Sequence, residues 1–163
     1  MADNAPHGLR KSLAQHLDGH GAHISLDDAL EGFPFELAGR RPPHLGHSAW
    51  GLVYHLWICQ WDILEYSLKP SHHSPEYPHG YWPKLDSPRD ESEWLSTIDK
   101  FRHDLARAHD LVLDPGRGLD VPLRKGIERT PIELAILVTD HNSYHIGQLV
   151  DLRTLLGVPV RDW

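Results

Sequence analysis

A chain of 163 residues, 40% hydrophobic and 24% charged, has the length for a single domain over 1–163 with a sizeable core, and its composition excludes a disordered chain. A formal charge of −7 with histidines neutral gives no surface that would gather on phosphate backbones, so neither nucleic acid nor an acidic membrane surface is an expected partner. One cysteine, Cys59, excludes an intrachain disulfide, no apolar run is long enough to span a bilayer, and residues 1–10 lack the apolar core of a signal peptide, so the expected location is cytoplasmic.

Leu9, Leu13 and Leu17 recur every four residues and predict a first helix over 6–20, with Pro6 in its opening turn and Gly19 and Gly21 at its exit. Ser25-Leu26-Asp27-Asp28 has the form of a capping box with Asp in place of Glu and predicts a short helical turn. Three prolines within 32–46 mark a connector. Ser48 then caps a second helix predicted to run to Leu68, with Trp50, Tyr54, Trp57, Trp61, Leu64 and Leu68 as its apolar stripe and Pro70 closing it.

Residues 71–89 are rich in Pro, His and aromatics, above all in Tyr77-Pro78-His79-Gly80-Tyr81-Trp82-Pro83. A long loop with such large side chains is either a functional lid or packed onto the domain. Tyr81 and Trp82 suit closure over a site and burial against the bundle or a second subunit equally well. A third helix begins near Asp90, with Glu93 at the capping-box position and Trp94, Ile98, Phe101, Leu105 and Leu111 as its stripe; Asp114-Pro115-Gly116 ends it. Residues 119–123 suit a short extended piece. Thr130-Pro131-Ile132-Glu133 combines an N-cap, a first-turn proline and a capping-box Glu, opening a fourth helix that runs to Leu156 and stops at Gly157, with Pro159 beyond. With no alternating strand pattern and no internal repeat, the chain reads as an all-α four-helix bundle with a long aromatic and Pro-rich loop between its second and third helices.

The fourth helix carries the chemistry. Its stripe runs Leu134, Val138, His141, His145, Leu149, Leu152, Leu156, so two imidazoles one turn apart face the core. The H-x-x-x-H spacing alone says little in a chain with 14 histidines, and the glutamate of an H-E-x-x-H metalloprotease is missing. A third candidate, His55, sits midway along the second helix on the face of Gly51, Ile58 and Asp62. Were those helices neighbours, His55, His141 and His145 would converge. Three imidazoles and a water suit zinc or nickel first, and also iron, cobalt or manganese. The competing reading is a set of core histidines satisfied by backbone carbonyls.

Asp62, two turns after His55, is a candidate to orient an imidazole or act as a general base, and equally an acceptor between helices. Gln148, three after His145, is a candidate partner of that ring or an ordinary interhelical amide. Asp140 points to another face. Cys59 reads as a small buried hydrophobe before a ligand or nucleophile, and Tyr144 as a packed aromatic before a donor to an oxyanion. His16, His20 and His23 read as a solvent-facing cluster, and His72, His73 and His79 as exposed loop residues.

The stretch His47-Ser48-Ala49-Trp50-Gly51-Leu52-Val53-Tyr54-His55-Leu56, followed by Gln60-Trp61-Asp62-Ile63-Leu64, Gly80-Tyr81-Trp82-Pro83 and Asp140-His141-Asn142-Ser143-Tyr144-His145-Ile146-Gly147-Gln148-Leu149, resembles the DinB/YfiT-like superfamily along nearly the whole chain. The resemblance implies a four-helix bundle holding a divalent metal on His55, His141 and His145, often as a homodimer. It implies a small-molecule substrate, and either a metal-dependent hydrolase or a thiol S-transferase or isomerase that uses a low-molecular-weight thiol such as bacillithiol or mycothiol. Alternatively the same site serves a non-catalytic metal-binding or interaction module. No basic cluster for a thiol's carboxylates stands out, although Arg153 follows His145 by two turns and Arg124, Lys125 and Arg129 precede the last helix.

Overall fold

The computed structural model describes residues 7–160, which hold α1 (His7–Leu17), α2 (Leu26–Leu30), α3 (Ala49–Leu68), α4 (Glu91–Leu113) and α5 (Pro131–Leu155), with no β-strand among the described residues. Pro6, assigned above to the first turn of α1, lies outside them. Four of the helices start where a side-chain oxygen takes up an orphan backbone N–H: Ser25, Ser48, Asp90 and Thr130 each accept from the amide three residues on. Ser25 with Asp28, and Thr130 with Glu133, complete reciprocal capping boxes. Glu93 does not. Its carboxylate accepts from the N–H of Arg89, ahead of the cap, because the Arg89 guanidinium pairs with it from that side. At the far end of α5, Gly157 takes a φ of 77°, which lets Gly157 and Val158 donate back to Thr154 and Arg153 in a Schellman closure.

The long helices close into a ring. α3 packs against α4 and α5, and α1 fills the opposite side between the same two. One half of the core gathers Val53, Leu56, Phe101, Ile146, Leu149 and Leu152, and the other gathers Leu64, Ala108, Val112, Leu134 and Val138 with Leu17. A polar tie lies at the level between them: Asn142 donates to Gln60 Oε1 at 3.0 Å, and Gln60 Nε2 donates to the Phe101 carbonyl at 2.8 Å. Both amides are buried, so the bonds hold α3, α4 and α5 in one register.

Two stripes shift from expectation. On α3, Leu52, Val53, Leu56 and Gln60 are buried while Trp57 and Trp61 are half-covered, because this helix is enclosed by two neighbours and by the loop that follows it. On α4, Ala108 and Val112 are buried and Leu111 is only partly so. Residues 119–123 form no strand. Leu119 and Leu123 instead plug the core, and the segment makes single backbone bonds, Ile132 to Leu119 and Leu123 to Arg129.

The 71–89 loop is fastened to the start of α3. Ser48 Oγ donates to the Asp86 carbonyl at 2.6 Å, and Gly39 admits the loop so closely that a Cβ there would lie 1.7 Å from Ser87 Oγ. Arg153 is buried and donates to the carbonyls of Ala29, Glu31 and Val158, which staples α2 and the C-terminal turn to α5. Its charge is therefore engaged internally and not displayed for an anionic ligand. Arg153→Ala would leave these carbonyls without their donor, at an expected cost of roughly 3 kcal/mol. Urea midpoints would read this, and Arg153→Lys should recover little, since one ammonium cannot reproduce the planar fork.

Candidate metal centre

α3 and α5 cross with their histidine faces together. His55 Nε2 lies 3.3 Å from His141 Nε2, and one ring nitrogen from each of His55, His141 and His145 falls within 4.8 Å of the others. His55 and His145 are buried and His141 half-buried. The three histidines lie close enough together to bind a metal ion.

Hydrogen bonds fix which nitrogens point inward. His55 Nδ1 lies 2.9 Å from the Tyr81 carbonyl, which can only accept, so His55 carries its hydrogen on Nδ1 and keeps a bare lone pair on Nε2. His145 Nδ1 likewise donates to Gln148 Oε1 at 2.8 Å, which frees its Nε2. His141 Nδ1 is buried and makes no hydrogen bond of regular geometry among the described residues, although the Asn142 side chain stands near enough to oppose the lowering of its pKa. Only His55 meets a backbone carbonyl, so the arrangement is not that of core imidazoles each satisfied by the peptide chain.

The electrostatics favour neutral rings. Burial pushes His55 down to about 4, with the Tyr81 carbonyl opposing and the other two imidazoles adding to the drop. His141 is pushed down to about 4 by burial and then by His145, and His145 is lowered by burial against its bond to Gln148. A neutral imidazole is the form that ligates a metal. Zinc–nitrogen bonds of about 2.0–2.1 Å at tetrahedral angles set ligand nitrogens about 3.3 Å apart. The observed 3.3 Å between two Nε2 atoms fits that donor set.

The loop forms one wall. Trp82 stacks on His55 with ring centroids 3.9 Å apart and planes within 1°, and its other face stacks on His47 at 3.7 Å. Trp82 thus packs against the bundle at the imidazole cluster, so that covering the cluster and burial on α3 are one contact. Tyr81 donates its hydroxyl to Asp62 at 2.7 Å, and His72 meets the other oxygen of the same carboxylate at 2.6 Å. Asp62 thus holds a loop hydroxyl and a loop imidazole, and these hydrogen bonds turn it toward the loop and not toward the three clustered rings. His72 is drawn in from the exposed position expected of it, whereas His73 and His79 stay exposed.

The remaining candidates border the centre or lie away from it. Cys59 Sγ lies 3.5 Å and 3.6 Å from the two nitrogens of His55, and burial, then the charge of Asp62, pushes its thiol up to about 12. A thiol so protonated is a poor nucleophile. Tyr144 is 67% exposed and not a packed aromatic; it presents its ring to His145 edge-on. His16 turns to the Ser12 carbonyl, while His23 bridges the Ile24 carbonyl and Ser143 Oγ. Arg124 is taken up by the Tyr66 carbonyl. Sequence reasoning missed His47, whose stacking on Trp82 no local pattern announces. It also missed the Tyr81 carbonyl, a ligand to His55 that any residue type would supply.

A helical bundle with three convergent imidazoles on facing helices defines a class of candidate metalloproteins. The family model of the DinB superfamily matches residues 20–149, and the chain belongs to that superfamily. No curated protein and no solved structure matches it. No helix among the described residues is long and apolar enough to cross a membrane.

The depressed histidines carry a pH signature. The unfolded chain binds protons near pH 6.5, whereas folded His55 and His141 resist them down to about 4. Folding stability of the metal-free protein is therefore full above about pH 6.5 and falls as pH drops toward 4. The slope should be shallower in His141→Gln, as read by urea midpoints between pH 4 and 7.

Proposed function

We propose that this chain is a metal-dependent enzyme that binds one divalent ion on His55, His141 and His145, with a small-molecule substrate or a low-molecular-weight thiol completing the site. The observation that carries the reading is the trio of neutral, convergent imidazoles, two of them with Nδ1 committed elsewhere and Nε2 left bare. A cation held there supplies Lewis acidity and lowers the pKa of a water or thiol at an open position toward neutrality. The protein's part is to hold His55 and His145 in one tautomer and to wall the centre with Trp82. Zinc or nickel suits three nitrogen donors best, with iron, cobalt or manganese behind them. The three-histidine set leaves at least one tetrahedral position free, which favours catalysis over a closed structural site.

Hydrolysis and thiol S-transfer both follow from this chemistry. Against an acyl substrate the activated species is water; against an alkyl electrophile it is a thiolate. Asp62, the carboxylate candidate for a general base, is engaged by Tyr81 and His72. A homodimer is part of the same reading, supported by exposed Leu137, Tyr144 and Leu155 along one face of α5.

Protein purified without a histidine tag should carry about one divalent ion per chain. Elemental analysis of His141→Ala should show that ion lost while circular dichroism stays helical. An undiminished metal content in His141→Ala would reject the triad. In a panel of esters and of thiols with alkyl electrophiles, turnover should vanish on chelation, return with added zinc or nickel, and be absent in His141→Ala. Turnover that survives chelation would show that the chemistry lies elsewhere.

A further inference from the structure

The two turns of α3 from His55 to Asp62 cover about 10.5 Å and bring both side chains onto one face. Tyr81 bridges that interval. Its hydroxyl donates to Asp62 Oδ2 at 2.7 Å, and its own backbone carbonyl accepts from His55 Nδ1 at 2.9 Å. The phenol ring is a rigid rod between those two ends. Tyr81 closes the short turn His79–Tyr81, where its N–H donates to the Pro78 carbonyl, but its own carbonyl lies at the end of that turn and takes part in none of the turn's hydrogen bonds. It is fixed by anchors. Asp62 takes the Tyr81 hydroxyl and His72 together, Ser48 takes the Asp86 carbonyl, and Trp82 lies against His55. Of these anchors, the bond to Asp62 acts on the side chain of residue 81 itself, where the Ser74 side chain also meets the phenol.

We propose that Asp62 is a positioning residue for the metal centre, acting on His55 through Tyr81 as a strut. Asp62 fixes the phenol, the phenol fixes the Tyr81 carbonyl, and the carbonyl holds the His55 hydrogen on Nδ1 so that Nε2 faces the ion. The proposal rests on the reading of His55 as a ligand. It assigns Asp62 no proton transfer and no contact with substrate. His72, on the second carboxylate oxygen, keeps Asp62 turned toward the loop. Such outer partners of ligating histidines change metal affinity by about 10- to 100-fold when removed.

The test uses untagged full-length protein and two readouts. The first is the tautomer of His55 in the metal-free protein, from long-range nitrogen–proton spectra, with His55→Gln assigning the signal. The second is zinc affinity by competition with a chromophoric chelator. Wild type should show the Nδ1–H tautomer alone. Tyr81→Phe, which removes a single oxygen, should give a mixture of tautomers and bind zinc about 10- to 100-fold more weakly. Asp62→Ala should do the same, and the double variant should be no weaker than either single one, because both break one strut. Asp62→Asn keeps an oxygen for the phenol and should retain most of the affinity.

A folded Tyr81→Phe with the wild-type tautomer and unchanged zinc affinity would overturn the proposal. So would Asp62→Asn as damaging as Asp62→Ala, which would make the effect one of charge. If Asp62→Ala fails to fold, Tyr81→Phe decides alone. Wild-type protein that binds no zinc or other divalent ion would overturn the metal reading, while the tautomer readout would still settle whether Tyr81 and Asp62 set the His55 ring.

Discussion

Three uncharged imidazoles meet where α3 crosses α5, two of them with ring nitrogens 3.3 Å apart. Facing lone pairs at that range repel unless a proton or a cation lies between them. Burial keeps either ring from taking a second proton, holding His55 and His141 near 4, so without a cation the hydrogen between them is the one that a neutral His141 carries on Nε2. Much of the surrounding structure works on this constraint. The Gln60–Asn142 tie locks α5 against α3 one residue from His141. Tyr81 and Gln148 take the outward hydrogens. His141 Nδ1 is the one outward nitrogen of the set without a hydrogen bond of regular geometry.

The loop after α3 is part of that centre and not an appendage to it. Trp82 lies between His47 and His55 like a card between two plates, and it removes water from one face of the cluster. Removing water weakens the charged form of the rings and strengthens any cation contact made beneath them. Asp62, the residue with the most obvious general-base chemistry nearby, is spent on holding this wall. The same helix therefore carries a ligand candidate and, two turns on, the anchor of the wall that covers it.

Much of this was legible from residue order. Ser48, Asp90 and Thr130 mark helix starts because their side-chain oxygens complete the first turn whatever surrounds it. Gly157 marks the end of α5 because a left-handed residue is needed there. His141 and His145 share the stripe of Leu134 and Leu149 by spacing alone. Less of α3 was legible, for its tryptophans look like the core stripe, yet Val53, Leu56 and Gln60 are more deeply buried. Arg153 reads as a cation two turns beyond His145, and only the fold reveals three carbonyls waiting for it.

The sequence by itself determined the long helices, most of their ends though not that of α1, the inward placing of two imidazoles one turn apart and the family to which the chain is similar. Those features follow from local geometry, which repeats every 3.6 residues regardless of neighbours. Only the tertiary structure decided that His55 meets His141 across 86 residues, that Trp82 covers them, and that Asp62 serves Tyr81 instead of an imidazole of the cluster. These are contacts between distant segments, set by how helices pack and where a long loop can be fastened, and no periodicity within one segment encodes them.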